Sequence, residues 1–122
     1  MRGVGNYGKY LIMKQYVIDE LRLDDYKKIK DYLDQNYEQS GFDGLYRIPL
    51  DPSRYSDTQM RHSECQPHYF AVELAEDRLA CELLVRTNGR IRCDCIEYAT
   101  VQQREWLIRL IDSIFSDLEI IT

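Results

Sequence analysis

The sequence contains no long apolar run and no recognisable signal peptide. Without about 18 consecutive apolar residues, it predicts no membrane span. The first residues, MRGVGNYGKYLI, lack the small-residue cleavage site that follows the apolar core of a signal peptide. We therefore expect a cytoplasmic protein whose four cysteines are reduced thiols, since disulfides persist mainly in exported proteins.

Motifs that carry familiar enzyme chemistry are also missing. The sequence contains no P-loop, no G-x-G-x-x-G fingerprint and no Ser-His-Asp pattern. The glycines of GVGNYG, residues 3–8, follow no predicted strand, so they do not predict a phosphate-binding loop. These absences favour a protein that is not an enzyme and needs no cofactor.

Acidic residues outnumber basic ones, and the net charge is −5. An acidic protein repels the phosphate backbone, so we expect no nucleic-acid partner. The cations Arg2, Lys9 and Lys14 are too few to anchor the chain on a membrane surface. Periodic sequence starts at Met13, which predicts a flexible tail over residues 1–12 and a single domain over residues 13–122.

Side-chain periodicity predicts an α+β fold. Residues 16–22, YVIDELR, are rich in strand formers, and the apolar residues that follow recur at helical spacing. Two capping-box pairs, Ser56 with Gln59 and Thr100 with Gln103, predict the starts of a short helix and of a long C-terminal helix. The resulting order is β-α-β-(short α)-β-β-β-α. It describes a two-layer fold with two long helices on one face of a mainly antiparallel sheet.

Two tight turns predict the register of the last three strands. A turn at Glu76–Asp77 places Val72 opposite Cys81, and a hairpin at Asn88–Gly89 places Ile96 on the other side of Cys81. Because side chains alternate along a strand, these registers sort the sheet into a core face and an open face. The predicted core face carries His68, Phe70, Val72, Leu74, Leu79, Cys81, Leu83, Val85, Ile96 and Tyr98.

The predicted open face carries an apolar island among charged side chains. An apolar island with a polar rim is typical of a protein interface, and the other interpretation is that residues 51–66 cover it. The preferred hypothesis is a non-enzymatic interaction module that binds a protein partner, or a second copy in a homodimer, through this face opposite the helices. The island consists of Tyr69, Leu84, Ile91 and Cys93, and its charged neighbours are Glu82 and Arg86.

The alternative hypothesis is a metal-binding or thiol-dependent protein. His62, Cys65, Cys93 and Cys95 supply ligand types that suit zinc or iron. Their spacing is not that of paired C-x2-C zinc motifs, and the predicted register places Cys93 and Cys95 on the face away from Cys81. A metal site would therefore need the short helix to fold over the open face, so scattered reduced thiols and surface histidines are the favoured interpretation.

Catalysis by a cysteine is disfavoured by the predicted neighbours of Cys95. The register places Glu82 opposite this thiol and Glu97 two residues along the same face, and adjacent carboxylates raise the pKa of a thiol. A catalytic cysteine needs a cation or a helix N-terminus beside it. A hydrolase that works through glutamates is a third possibility, which no motif supports.

Overall fold

The computed structural model describes residues 13–87 and 93–121. Within these ranges the chain has an α+β fold, in which helices cover one face of a seven-stranded antiparallel sheet. The fold class expected from the sequence is confirmed. The predicted tail over residues 1–12, the Asn88–Gly89 turn and Ile91 lie outside the described residues.

The helices and strands follow the order β-α-β-β-α-β-β-β-β-α along the chain, and the central strands of the sheet are neighbours in sequence. The sheet order is β1-β5-β4-β3-β2, and β6 pairs with both β4 and β7. None of the helices in the described ranges has the length and apolar character needed to cross a membrane. The elements are β1 (Gln15–Ile18), α1 (Leu23–Asn36), β2 (Glu38–Gln39), β3 (Leu45–Pro49), α2 (Asp57–Met60), β4 (His68–Ala75), β5 (Arg78–Glu82), β6 (Leu84–Thr87), β7 (Glu97–Tyr98) and α3 (Val101–Asp117).

Both predicted capping boxes are present. The Ser56 hydroxyl accepts a hydrogen bond from the Gln59 backbone N–H at 3.2 Å, and the Gln59 carboxamide oxygen accepts one from the Ser56 N–H at 2.9 Å. Thr100 and Gln103 make the same two bonds at the start of α3. The short helix α2 ends at Met60. Residues Ser63–Cys65 then form a separate 3-10 turn.

The core lies between one face of the sheet and the two long helices. Helix α1 contributes Ile29 and Leu33, and α3 contributes Leu107 and Ile111, all of them essentially without solvent exposure. Complete burial of such a side chain stabilises the fold by about 1.5–3 kcal/mol. The sheet residues that meet them include Phe70, Val72, Leu74, Leu79, Cys81, Leu83 and Val85, as the alternation pattern predicts.

The register of β4 with β5 agrees with the prediction, but it changes at Leu83. Val72 lies opposite Cys81, whereas Tyr69 lies opposite Arg86, so the β5–β6 segment holds two more residues than β4 over the same length. Leu83 lies between β5 and β6, and its backbone forms hydrogen bonds with two other segments of the chain. Its N–H donates to the Lys14 carbonyl at 2.9 Å, while its carbonyl accepts from the Ala99 N–H at 2.8 Å.

The predicted register of the last strand is wrong. Cys81 pairs with Tyr16 of β1 instead of Ile96, because β1 occupies the edge of β5 that the last strand was expected to use. Strand β7 pairs with β6 instead, with Val85 opposite Glu97. This pairing reverses the two faces of the last strand relative to the prediction. Tyr98 is therefore 37% exposed, and the side chain of Cys95 is buried.

We expect Gly44→Ala to destabilise the protein. Gly44 has a φ of +86°, and an added Cβ would lie 2.8 Å from the carbonyl oxygen of Leu74. Strain of this kind costs about 1–3 kcal/mol. The matched control is Gly41→Ala, since Gly41 has a similar φ of +79° with no atom within 4 Å of the added Cβ. Urea unfolding should give a larger loss for Gly44→Ala than for Gly41→Ala, and equal losses would contradict the steric argument.

Candidate metal centre

The structure brings together the four ligand residues of the alternative hypothesis. The ligand atoms of His62, Cys93 and Cys95 all lie within 4.8 Å of one another. The Sγ atom of Cys65 lies 3.8 Å from that of Cys93, and the Sγ atom of Cys95 lies 3.2 Å from it. The four side chains come from two segments that are well separated in sequence, one after α2 and one before β7.

The segment after α2 presents a histidine in the tautomer that binds metals. Nδ1 of His62 lies 2.6 Å from the carbonyl oxygen of Thr58. A carbonyl only accepts hydrogen bonds, so Nδ1 carries a proton, and in the neutral imidazole the lone pair is on Nε2. Metal-bound histidines are usually held in this way by a carbonyl or carboxylate behind the ring.

The segment before β7 presents two cysteines from a tight turn. The N–H of Ile96 donates to the carbonyl of Cys93 at 3.0 Å and closes the turn. The N–H of Cys95 donates to the sulfur of Cys93 inside this turn. Cys93 is half-buried, whereas Cys65 and Cys95 have no exposed surface.

The spacing of the sulfur atoms is close to that of a tetrahedral zinc site. A Zn–S bond of about 2.3 Å places two sulfur ligands roughly 3.8 Å apart in a tetrahedron. The separation of Cys65 and Cys93 is 3.8 Å, and that of Cys93 and Cys95 is 3.2 Å. Small side-chain movements would therefore bring these ligands to the geometry of a bound ion.

The surroundings of the cluster favour the thiolate form of Cys93 over that of Cys95. Hydrogen bonds from the N–H and the thiol of Cys95, together with the thiol of Cys65 and the nearby His62, lower the pKa of Cys93. Burial raises the pKa of Cys95, and its hydrogen bonds to Cys93 and Cys65 raise it further. The carboxylates expected beside Cys95 do not cause this shift, because Glu82 lies opposite Gln15 in the sheet.

Comparisons of the chain with protein-family models, with curated proteins and with solved structures found no match.

A buried carboxamide fastens the two ligand segments to each other. Gln59 has no exposed surface, and its Nε2 donates to the carbonyl of Cys95 at 3.4 Å. Its Oε1 accepts from the Ser56 N–H at 2.9 Å and from Nε2 of Gln103 at 3.0 Å. Gln103 also donates to the carbonyl of Arg54 at 2.8 Å, which ties the start of α3 to the same cluster.

The short helix lies on the helix side of the sheet, not over the open face. Tyr55 packs edge-on against His68 of the core face, with ring centroids 4.8 Å apart. Since Cys95 is also buried on this side, the ligands need not come from both faces of the sheet. The four residues meet because the register of β7 differs from the predicted one and because α2, whose position the sequence left open, lies on the helix side.

His68 is buried near this centre but is not part of it. The residue has no exposed surface, and neither ring nitrogen has a hydrogen-bond partner. The hydroxyl of Thr87, which lies opposite His68 in the sheet, is also buried without a partner. Burial lowers the pKa of His68, and the neighbouring His62 lowers it further, so the imidazole is neutral at pH 7.

The charged residues of the predicted interface lie on the open face. Nε of Arg86 donates to Glu82 at 2.7 Å, and Nη2 donates to the second oxygen of the same carboxylate at 3.1 Å. Tyr69 is half-buried, and the guanidinium carbon of Arg47 lies 4.9 Å from its ring centroid. Tyr69, Glu82 and Arg86 border a trough of about 410 Å³ on the sheet.

The apolar residues of the predicted interface do not form the expected island. Leu84 is half-buried and lies opposite Tyr98, which was expected in the core. Cys93 lies in the thiol cluster and does not face Leu84. Ile91 is outside the described residues. Whether the open face binds a partner stays a prediction.

Sequence reasoning missed the residues that position the ligands. The sequence indicates that Gln59 and Gln103 are capping residues. Their contact with each other joins two helices that are 44 residues apart, so no local sequence pattern predicts it. The carbonyl of Thr58 has no sequence signal, because a backbone acceptor carries no residue preference. One signal for these contacts was present in the sequence. Both capping boxes use glutamine, and its side-chain N–H donors stay available after the carboxamide oxygen has accepted the capping hydrogen bond.

We expect Gln59→Met to destabilise the protein strongly. The substitution keeps the length of the side chain but leaves the Ser56 N–H and the Cys95 carbonyl without their buried partner. Each unsatisfied buried group costs about 1–3 kcal/mol. The control is Gln102→Met, because Gln102 is exposed on α3. A free energy of unfolding that falls equally in both variants would contradict the central role of Gln59.

Proposed function

We propose that this protein is a zinc-binding domain in which His62, Cys65, Cys93 and Cys95 hold one structural Zn²⁺. The observation that carries the proposal is the convergence of side chains from two separate segments. The ligand atoms of His62, Cys93 and Cys95 lie within 4.8 Å of one another, and Cys65 Sγ lies 3.8 Å from Cys93 Sγ. A Cys3His set is a common structural zinc site. The Thr58 carbonyl behind His62 supplies the outer contact that such a ligand usually has.

The burial of the cluster favours a structural role over a catalytic one. Catalytic zinc keeps one position open for water or substrate, whereas structural zinc is closed by four protein ligands. Cys65 and Cys95 are fully buried, and four protein ligands are at hand. The ion would cross-link the 3-10 turn after α2 to the turn before β7. Thiolate ligands suit a compartment that keeps cysteines reduced, such as the cytoplasm expected from the sequence.

Zinc suits this ligand set better than iron does. Iron–sulfur clusters are usually held by four cysteine thiolates, or by two cysteines and two histidines in the Rieske arrangement. A single tetrahedral ion with three sulfur ligands and one nitrogen ligand matches the preferences of Zn²⁺.

We expect protein purified without a histidine tag to contain about one zinc ion per chain. Cys93→Ala and His62→Ala should lose the metal, because each removes a ligand. Cys81→Ala is the matched control and should keep it, since Cys81 is buried in the core among leucines. Elemental analysis gives the zinc content, and cobalt substitution gives a tetrahedral thiolate spectrum. Protein without metal that also gains no thermal stability from added zinc would refute the proposal.

A second candidate function is the interaction module expected from the sequence. The observation that favours it is the open face, where Tyr69, Glu82 and Arg86 line a trough and no helix of the described ranges contributes to its lining. Leu84, two residues before Arg86 on the same strand face, is half-buried. Tyrosine and arginine are the residue types that most often anchor protein interfaces. The occupant we propose is a second copy of the chain, and the paired Glu82 and Arg86 would set its orientation.

We expect Leu84→Asp to shift a dimer toward monomer, because a carboxylate in an apolar contact is costly to desolvate. The matched control is Leu23→Asp, which places the same charge on an exposed residue of α1 in the helix layer. Sedimentation velocity gives the oligomeric state, and circular dichroism checks that both variants are folded. Identical sedimentation of wild type and both variants would end this second candidate.

A further inference from the structure

The three thiols of the metal centre differ in their access to solvent. Cys65 and Cys95 have no exposed surface, whereas Cys93 is half-buried. A dissolved oxidant therefore meets the sulfur of Cys93 before either of the others. Cys81, the fourth thiol, is enclosed in the core and lies outside the cluster.

The sulfur of Cys93 has a neighbour that can form a disulfide with it. Cys65 Sγ lies 3.8 Å away, and the two cysteines are 28 residues apart in sequence. Cys95 Sγ is closer, at 3.2 Å, but only one residue separates it from Cys93. A disulfide there would close a small ring that contains two planar peptide groups, and the required geometry strains such a ring. Gln59 also holds the Cys95 carbonyl in place.

We propose that Cys93 is an oxidation site for hydroperoxides and that Cys65 resolves it, so that oxidation replaces the bound zinc with a Cys65–Cys93 disulfide. The inference rests on the proposed function for the identity of the released ion. It makes the metal centre responsive to the redox state of its surroundings.

The chemistry balances with a hydroperoxide as the oxidant. The sulfur of Cys93 attacks one peroxide oxygen, the O–O bond breaks, and a sulfenic acid and one water form. The sulfur of Cys65 then attacks the sulfur of Cys93, the S–S bond forms, and the S–O bond breaks to release a second water. The two thiolates lose two electrons, and hydrogen peroxide takes them up with two protons. His62 and Cys95 remain as ligands, too few to retain the zinc.

The test treats the zinc-loaded protein with a small molar excess of hydrogen peroxide. A chromogenic chelator follows zinc release, and mass spectrometry of unreduced peptides locates the disulfide. We expect release of all the zinc together with a Cys65–Cys93 peptide, in wild type and in the Cys81→Ala control alike. Retained zinc with free thiols, or a disulfide that joins Cys93 to Cys95 or includes Cys81, would overturn the inference.

The metal-free protein separates this inference from the proposed function. Apo protein treated with peroxide should form the same disulfide, even if the purified protein proves to contain no zinc. In apo Cys65→Ala the resolving thiol is missing, so we expect a sulfenic acid on Cys93 that a dimedone probe labels. Absence of both the disulfide in wild type and the label in this variant would refute Cys93 as the oxidation site.

Discussion

The pairing of Val85 with Glu97 determines on which side of the sheet the thiol of Cys95 lies. Side chains alternate along a strand, so a shift of one residue would send Cys95 to the open face. The pairing depends in turn on β1, which occupies the edge of β5 and leaves β6 as the partner for β7. The candidate metal centre thus depends on a strand that contributes none of its four residues.

The buried amide of Gln59 gives the ligand segments a fixed relation to each other. It accepts two hydrogen bonds and donates one, so desolvation of this amide is offset by partners from α2, α3 and the turn before β7. Without these bonds the amide would be costly to bury, and the segments would keep only contacts such as that of the Ser56 hydroxyl with Glu97 at 2.9 Å. Gln59 and Gln103 are also the capping-box residues of α2 and α3. The same side chains therefore stabilise the starts of both helices and position the ligand segments.

The sequence was sufficient for features that depend on neighbours along the chain. Both capping boxes and the turn at Glu76–Asp77 follow from residues within a few positions of each other, and the order of elements follows from periodicity. The register of β7 could not be predicted, because it depends on the distant contact between Leu83 and Lys14. The four ligand residues were recognisable by type, but the predicted register set two of them on the wrong face. The predicted pairing was wrong by five residues, an odd number, so it reversed the two faces of the last strand and changed the preferred hypothesis about function.

The charge state of the thiol cluster connects its structure to the proposed metal. The donors around Cys93 lower the pKa of its thiol, whereas burial, together with the hydrogen bonds that Cys95 makes to Cys93 and Cys65, raises the pKa of Cys95. Three thiolates at these separations would repel one another strongly in a buried site. A divalent cation at their centre removes this repulsion and releases the thiol protons. An ion such as Zn²⁺ would therefore allow the cluster to hold three thiolates, which its buried surroundings otherwise disfavour.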